Sequence, residues 1–345
     1  MANIYWSWMF SDEDSATLTS LGFVQSNIFD HGGSDYLYSF LGDKLRTDGI
    51  RKSLRIYHTG YLEMPSNTLT TSGSVSVPFF DLADCGTNKT ILSVFGNSAG
   101  SNKYFEIVGK DSATLSLEID GVEKETVSHS TGLKHTFLTL KYDMSTNPWS
   151  AQIFVNGSGS GTTHTEALTA ATNPRLQIVG PKDFKNRYIS QVAIFSDWAN
   201  TETISYVGRL NPSADTSESG SWVPSIGSDN FAVVSGSFDT TQYCRNLTSS
   251  IGQNVVLQVS GTGGYAGQLG INPATVYGVT AHCWASGSGQ NAFTAVSDNN
   301  SNWTSGDSIT PSFNATYGFG SAAAKPSDST PWTSGSNIYI KYEVG

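Results

Sequence analysis

The chain has 345 residues, which exceeds what one hydrophobic core usually organises and favours two domains. Its 19 basic and 29 acidic side chains give a net charge of −10, the wrong sign for a surface that binds nucleic acid. No apolar run approaches the roughly 20 residues that a membrane-spanning helix needs. Because only 14% of the residues are charged and 12% are aromatic, the composition favours an all-β protein over one with helical surfaces.

The amino-terminal segment does not have the pattern of a signal peptide. It has no basic start, and acidic residues at 12–14 interrupt its apolar stretch. We therefore expect synthesis in a cytoplasm, with release by lysis or inside a particle if the protein acts outside cells. Trp6, Trp8 and Phe10 alternate in this segment, which predicts either a buried edge strand or a contact with a neighbouring chain.

Short segments of alternating apolar and polar residues, bounded by Gly, Asn, Asp and Pro, recur through the first 195 residues, as a β-sandwich requires. The predicted strands of this part are Asp35–Leu41, Ser53–Leu62, Ser74–Phe80, Thr90–Phe95, Tyr104–Val108, Thr114–Ile119, Phe137–Tyr142, Ala151–Val155, Arg175–Val179 and Tyr188–Phe195. A helix is predicted over Asn200–Leu210, where Thr201 can cap and apolar residues repeat at a spacing of three.

A linker is predicted at residues 211–221, because this segment has no apolar residue larger than Ala and cannot bury itself. It divides the chain into a domain at 1–210 and a second, smaller β-sandwich at 222–345. The predicted strands of the second domain are Phe231–Val234, Val255–Val259, Val276–Trp284, Ala292–Val296 and Ile338–Tyr342.

The order of strands and turns after residue 136 resembles the laminin G-like, concanavalin A-like lectin/glucanase jelly roll. Phe137–Asp143 ends in an aromatic-Asp pair, Ala151–Gly157 ends in Asn-Gly, another strand ends at Gly180, and Tyr188–Phe195 closes the sheet. The resemblance covers roughly residues 50–210 and implies a jelly roll for the first domain. It contains no catalytic signature, so it supports architecture better than function.

A jelly roll joined to a second β-sandwich, in a chain rich in Ser, Thr, Gly and Asn and without a signal peptide, also resembles bacteriophage virion surface proteins. This resemblance implies a non-enzymatic tail fibre, appendage or capsid decoration, located in the virion and contacting host-surface glycans. Its partners would be other virion proteins and further copies of itself, with a trimer favoured, and no cofactor is expected. The alternatives are a glycan hydrolase or lyase of the concanavalin A-like class and a free lectin.

One triplet, Glu118, Asp120 and Glu123, fits the E-x-D-x-x-E pattern of laminarinase-type glycosidases, which share this jelly roll. In those enzymes the three carboxylates project from one strand into the cleft. Here Gly121 follows the central Asp, and Asp-Gly between two alternating segments is a strong signal for a hairpin turn. The sequence therefore favours a structural hairpin over a catalytic triplet.

No other motif predicts catalysis or a metal site. The six histidines form no close pair, and no G-x-S-x-G occurs between a strand and a helix. Loop acids at Asp81, Asp84, Asp143 and Asp183 could bind calcium, but isolated loop aspartates more often bond their own backbone. We predict neither a metal site nor catalytic residues.

Aromatic residues in polar loops of the second domain give the stronger binding signal. Tyr265, Trp303 and Trp332 lie between Gly, Ser and Asn residues, where an exposed ring can stack on the apolar face of a sugar. The alternative is that these rings fill the core beneath long loops or contact another subunit.

Cysteines and strand edges bear on assembly. Cys244 and Cys283 could form a disulfide if their strands are neighbours, with Cys85 left as a buried thiol. The segments Val255–Val259 and Val276–Val279 carry no charge, so as open edges they would pair with other chains. Together with the apolar amino-terminal segment, they predict a homo-oligomer.

Overall fold

The computed structural model describes residues 4–10, 15–29, 54–80, 88–98, 101–129, 135–159, 161–180, 186–189, 191–196, 210, 212–225, 244–247, 251–259, 276–285, 290–305, 308–310, 316–333 and 335–345. The predicted strands Asp35–Leu41 and Phe231–Val234 lie outside these residues, as does the predicted helix apart from Leu210, which is not helical. The chain divides into two compact units, Ile4–Val207 and Gly208–Gly345.

The described part of the first unit contains fifteen strands and one short helix, as alternation in the sequence predicts. Its elements are β1 (Ile4–Met9), α1 (Ser15–Ser20), β2 (Val24–Phe29), β3 (Leu54–Glu63), β4 (Ser72–Phe80), β5 (Lys89–Ser98), β6 (Ser101–Gly109), β7 (Thr114–Ile119), β8 (Val122–Ser128), β9 (His135–Asp143), β10 (Trp149–Val155), β11 (Ser158–Gly159), β12 (His164–Glu166), β13 (Thr172–Val179), β14 (Asn186–Ile189) and β15 (Gln191–Phe195). The expected all-β class is confirmed.

These strands form one fifteen-stranded antiparallel sheet that curls on itself. Its main path runs β11-β10-β9-β4-β14-β3-β13-β5-β6-β7-β8, with β15 joining β4 to β1, β12 pairing with β10, and β2 pairing with β3. At one end of this path, the strands β3-β13-β5-β6-β7-β8 make one layer of the sandwich, which we call the layer from β3 to β8. The strands β4, β9 and β10 belong to the other layer, since rings of β9 and β10 pack against Phe105 of β6.

The core of the first unit lies between these layers. Phe105 of β6 packs against Trp149 of β10, with ring centroids 5.2 Å apart, and against Tyr142 of β9 at 6.2 Å. All three rings are fully buried. Because successive residues of a strand point to opposite faces, burial of Phe105 turns its neighbour Glu106 to the outer face of this layer.

The amino-terminal segment forms a buried strand within its own unit. β1 pairs antiparallel with β15, and Trp6, Trp8 and Phe10 are all buried. The Trp8 and Phe23 rings meet edge to face at 5.6 Å. Of the two alternatives predicted for this segment, the structure shows the buried strand.

The second unit contains β16 (Ala214–Glu218), β17 (Trp222–Pro224), β18 (Cys244–Asn246), β19 (Asn254–Gln258), β20 (Val279–Ala285), β21 (Ala292–Ser297), β22 (Ser308–Ile309), β23 (Thr316–Ala322) and β24 (Tyr339–Val344). Its sheets are β16-β19-β24-β21-β22, β17-β18 and β20-β23. The five-stranded sheet and the β20-β23 pair enclose a core made of Val259, Ala281, Val296, Ala322, Trp332 and Ile338.

Part of the segment predicted as a linker, residues 211–221, forms a strand. Residues 214–218 form β16, which pairs with β19 through Ala214 opposite Gln258 and Glu218 opposite Val255. The segment is largely exposed, as its lack of apolar side chains predicts. However, an edge strand needs only backbone hydrogen bonds, which a polar sequence can supply as well as an apolar one.

The predicted open edge at Val255–Val259 is also wrong. The strand β19 pairs with β16 on one side and β24 on the other, and Val255, Val256 and Leu257 are buried. This removes one reason for expecting a homo-oligomer, and burial of β1 removes another. The oligomer itself stays a prediction that the structure does not test.

The possible disulfide between Cys244 and Cys283 is not formed, because both residues are free thiols. Burial, and to a smaller extent the charge of Asp215, raises the pKa of the Cys244 thiol to about 12. Among the described residues no helix is long and apolar enough to cross a membrane.

Candidate functional site

A row of carboxylates crosses the outer face of the layer from β3 to β8. The strand register places Glu63 opposite Gln177, Gln177 opposite Ser93, Ser93 opposite Glu106, and Glu106 opposite Glu118. Glu118 in turn faces Glu123 across the β7–β8 hairpin. Directly opposed residues of antiparallel strands have Cβ atoms about 4.5–5.5 Å apart, so Glu106 and Glu118 are close neighbours.

The surroundings of Glu106 raise the pKa of its carboxyl group. Burial raises the pKa of its carboxyl group, the hydrogen bond from Thr90 acts in the opposite direction, and the charge of Glu118 raises it further. Thr90 Oγ1 donates that hydrogen bond to Glu106 Oε1 at 3.0 Å. The net effect is that the Glu106 carboxyl group holds its proton to a higher pH than an ordinary glutamate.

Glu118 lies in a polar and cationic environment. Ser116 Oγ donates to its Oε1 at 3.3 Å, and the Lys110 ammonium lies 3.7 Å from the same oxygen. The Lys110 ammonium also pairs with Glu123 at 2.7 Å, and this hydrogen bond is the main reason why the pKa of Lys110 is raised. Glu106 and Glu118 therefore face each other with different partners. Glu106 accepts a hydrogen bond from the Thr90 hydroxyl, whereas Glu118 has both the Ser116 hydroxyl and the Lys110 ammonium beside it.

Aromatic rings form the next row on the same face. Two residues before Glu106 on β6 lies Tyr104, and opposite it on β5 lies Phe95, whose other neighbour is Arg175 of β13. Both rings are half-buried. The Arg175 guanidinium reaches back to Glu63 at 2.7 Å. The site thus combines two opposed carboxyl groups with an adjacent aromatic surface.

The Asp120-Gly121 hairpin is confirmed. Asp120 and Gly121 have φ angles of 51° and 75°, between the end of β7 and the start of β8, and Asp120 pairs with Lys103 at 2.7 Å. The three carboxylates of the E-x-D-x-x-E pattern therefore do not project from one strand. Glu118 and Glu123 nevertheless meet across the hairpin through Lys110, which the expectation of a purely structural turn did not include.

Sequence reasoning missed Glu106, the residue that completes the site. Phe-Glu-Ile at 105–107 repeats the pattern of Leu-Glu-Ile at 117–119, with one acid between two core residues. The repeat shows that both acids lie on the outer face. Only the strand register shows that they are opposite each other.

The three residues predicted to stack on glycans, Tyr265, Trp303 and Trp332, differ in their exposure to solvent and in whether the structure describes them. Trp332 is 2% exposed in the core of the second unit, and its indole N–H donates to the Ala322 carbonyl at 3.0 Å. The expectation of an exposed ring is therefore wrong for Trp332. Tyr265 lies outside the described residues. Trp303 is half-buried, with the Lys341 ammonium 5.1 Å from its ring centroid, and its role in binding stays a prediction.

Among the described residues, no cluster of three His, Cys, Asp or Glu side chains could hold a metal ion. Of the loop acids considered for calcium, Asp143 accepts hydrogen bonds from the Ser145 amide at 2.9 Å and the Ser145 hydroxyl at 2.6 Å. These bonds form a local turn of the kind that Asp commonly makes. Asp81, Asp84 and Asp183 lie outside the described residues.

No protein-family model matches the chain, and no curated protein matches it. A Trypanosoma rangeli sialidase mutant with trans-sialidase activity is similar over 44% of this chain and 26% of its own length, at 11% identity and a TM-score of 0.36. Domain 4 of the Geobacillus stearothermophilus GH43 arabinanase AbnA, in complex with arabinotriose, is similar over 56% and 93%, at 14% identity and a TM-score of 0.38. The T. cruzi calreticulin globular domain is similar over 56% and 89%, at 10% identity and a TM-score of 0.35.

The chain thus spans about a quarter of the sialidase that it matches. At these identities and TM-scores the matches show similarity alone, and the all-β class follows from the strands of the structure itself. The expected non-enzymatic virion role is contradicted, because similar solved structures include a sialidase and a domain of an arabinanase. No finding supports the bacteriophage part of that expectation, and we do not retain it.

Proposed function

We propose that the first unit is a glycan hydrolase whose reacting groups are Glu106 and Glu118. The observation that carries this proposal is the opposed pair of carboxyl groups, one with a raised pKa and the other beside an ammonium group. Glycosidases that retain anomeric configuration use two carboxyl groups about 5–5.5 Å apart. Directly opposed residues on neighbouring antiparallel strands have Cβ atoms about 4.5–5.5 Å apart, so the side chains of Glu106 and Glu118 start close enough for their carboxyl groups to reach that separation.

In the first step, the Glu118 carboxylate attacks the anomeric carbon while the Glu106 carboxyl group gives its proton to the glycosidic oxygen. The bond from the anomeric carbon to that oxygen breaks, the leaving sugar departs as an alcohol, and a glycosyl ester forms on Glu118. In the second step, the Glu106 carboxylate takes a proton from a water molecule, which attacks the anomeric carbon and releases Glu118. The proton that Glu106 gives up in the first step is replaced by the proton taken from water in the second, so Glu106 is protonated again at the end of the cycle.

The neighbours of the pair match these two roles. A general acid needs a pKa near the working pH, and burial together with the charge of Glu118 moves the pKa of Glu106 in that direction. The Lys110 ammonium and the Ser116 hydroxyl both approach the same oxygen, Oε1, of Glu118 and hold that carboxyl group in position. The partly buried Glu106 therefore suits the role of general acid, and Glu118, beside a cation, suits the role of nucleophile.

The test is release of reducing sugar from arabinan, β-1,3- and β-1,4-glucans and sialyl-lactose. We expect the wild-type chain to cleave at least one of these glycans, and Glu106→Gln or Glu118→Gln to lower kcat by about 10²–10⁴-fold. Glu343→Gln is the matched control, since Glu343 also pairs with a lysine, at 2.8 Å, but lies in the second unit. Equal activity of the Glu106 and Glu343 variants would exclude the proposed pair.

A further inference from the structure

The outer face around the carboxylate pair is closed on one side and open on the other. Along the strands, the row on one side contains Val108 and Ser116, which are 5% and 0% exposed. Lys110 reaches over the same side to Glu118 and Glu123. A sugar chain that extended in this direction would have to displace the ion pairs of Lys110.

On the other side, the neighbouring row presents aromatic rings. Phe95 and Tyr104 are opposed on β5 and β6 and are each half-buried, so part of each ring reaches solvent. Residues two apart on a strand are separated by about 6.8 Å along it. The rings therefore begin about one sugar unit away from Glu106.

We infer that Phe95 and Tyr104 form a sugar-binding subsite for the unit next to the cleaved bond, and that the substrate has at least two sugar units. This inference rests on the proposed function, because it takes Glu106 and Glu118 as the point of cleavage. Aromatic rings bind the apolar C–H face of a sugar ring while its hydroxyl groups stay hydrated. The subsite therefore selects substrates by chain length and by an uncharged sugar face.

In the described part of this row, the cation is already bonded to a carboxylate. The Arg175 guanidinium, next to Phe95, pairs with Glu63 at 2.7 Å. On the residue that precedes Tyr104, the Lys103 ammonium pairs with Asp120 at 2.7 Å. A sugar unit without a carboxylate or sulfate group fits the subsite best.

The test compares single-sugar glycosyl fluorides, whose leaving group is a single fluorine atom, with oligosaccharides of two to five units, using arabino- and gluco-oligosaccharides. For Phe95→Ala and Tyr104→Ala we expect KM on oligosaccharides to rise about tenfold, equivalent to about 1.4 kcal/mol. On the single-sugar glycosyl fluorides we expect kcat/KM to stay within about twofold, because the subsite is empty there. Phe137→Ala is the control, since it removes a half-buried ring from β9 in the other layer. Tyr104→Phe keeps the ring and is expected to keep the wild-type KM.

Binding separates this inference from the proposed hydrolysis. We would measure the Kd of each oligosaccharide for the Glu106→Gln protein with and without the ring substitutions. Ring-dependent binding without cleavage by the wild-type chain supports the subsite and overturns the hydrolysis. Cleavage that depends on Glu106 but not on the rings overturns the subsite alone. If no oligosaccharide binds, both are wrong, and equal losses on single sugars and oligosaccharides also overturn the subsite.

Discussion

At the scale of single residues, the proposed site depends on one glutamate, Glu106, whose partly buried position raises the pKa of its carboxyl group. Glu106 lies between Phe105 and Ile107, both fully buried, and opposite Glu118. Its raised pKa follows from burial first and from the charge of Glu118 in addition. The sequence shows that Glu106 is an acid on a strand, but it does not show which acid is opposite it.

The raised pKa of Glu106 predicts a pH-dependent difference in stability between the wild-type chain and Glu106→Gln. The folded state holds the Glu106 proton more tightly than the unfolded state. Its contribution to stability is therefore fully present below the unfolded pKa, about 4.3, and is lost as the pH rises through the higher folded pKa. We expect the Tm of Glu106→Gln, relative to wild type, to increase with pH across this window. A difference that is constant from about pH 3.5 to 8 in thermal unfolding would contradict the raised pKa.

At the scale of secondary structure elements, alternation predicted strands well. Thr114–Ile119 is found with the predicted bounds, and most other predicted strands differ by only a few residues at their ends. Val24–Phe29 and Thr316–Ala322 were not predicted, and neither was Ala214–Glu218. The last of these has no apolar alternation, since its pairing with β19 uses the backbone, so composition alone predicted a linker.

The β7–β8 hairpin allows a test of turn chemistry by Gly121→Ala. A Cβ atom at Gly121 meets no atom within 4 Å, so the cost of the substitution comes from its φ of 75° alone. We expect a loss of about 1 kcal/mol in the free energy of unfolding by denaturant. Gly335→Ala is the control, because Gly335 also has open space around its Cβ position and does not have a positive φ. Equal effects of the two substitutions would show that the turn does not require Gly121.

Strand β16 leads to a prediction about the second unit. A fragment of residues 208–345 keeps β16 paired along β19, whereas a fragment of residues 222–345 leaves that edge of β19 unpaired. Because unpaired backbone edges promote association, we expect the shorter fragment to unfold at lower denaturant concentration and to aggregate. Circular dichroism and light scattering measure both properties. Equal stability and solubility of the two fragments would support the linker that the sequence predicted.

At the scale of the whole molecule, the all-β class and the presence of two units follow from composition and length. The carboxylate pair did not follow, because it depends on a register between strands that the sequence does not encode locally. The predicted homo-oligomer rested partly on open edges, and β19 is not one of them. The function expected from overall resemblance was wrong, whereas the expected all-β class is confirmed.

The division into units predicts where activity resides. Glu106, Glu118, Lys110, Phe95 and Tyr104 all lie within Ile4–Val207, and so do the hydrogen bonds and ion pairs described for them. We expect a fragment of residues 1–207 to fold and to keep the kcat of the full chain on any oligosaccharide that the chain cleaves. A folded fragment without that activity, when the full chain is active, would place a required group in the second unit.

The raised pKa of Glu106 is the property on which the proposed hydrolysis depends most directly, and it can be measured without knowing the substrate. In a ¹³C NMR titration of the glutamate carboxyl groups, we expect Glu106 to titrate above the ordinary value for glutamate. In Glu118→Gln we expect the pKa of Glu106 to fall, because the charge of Glu118 contributes to raising it. A Glu106 that titrates at the ordinary value, or that does not respond to Glu118→Gln, would contradict its role as the general acid.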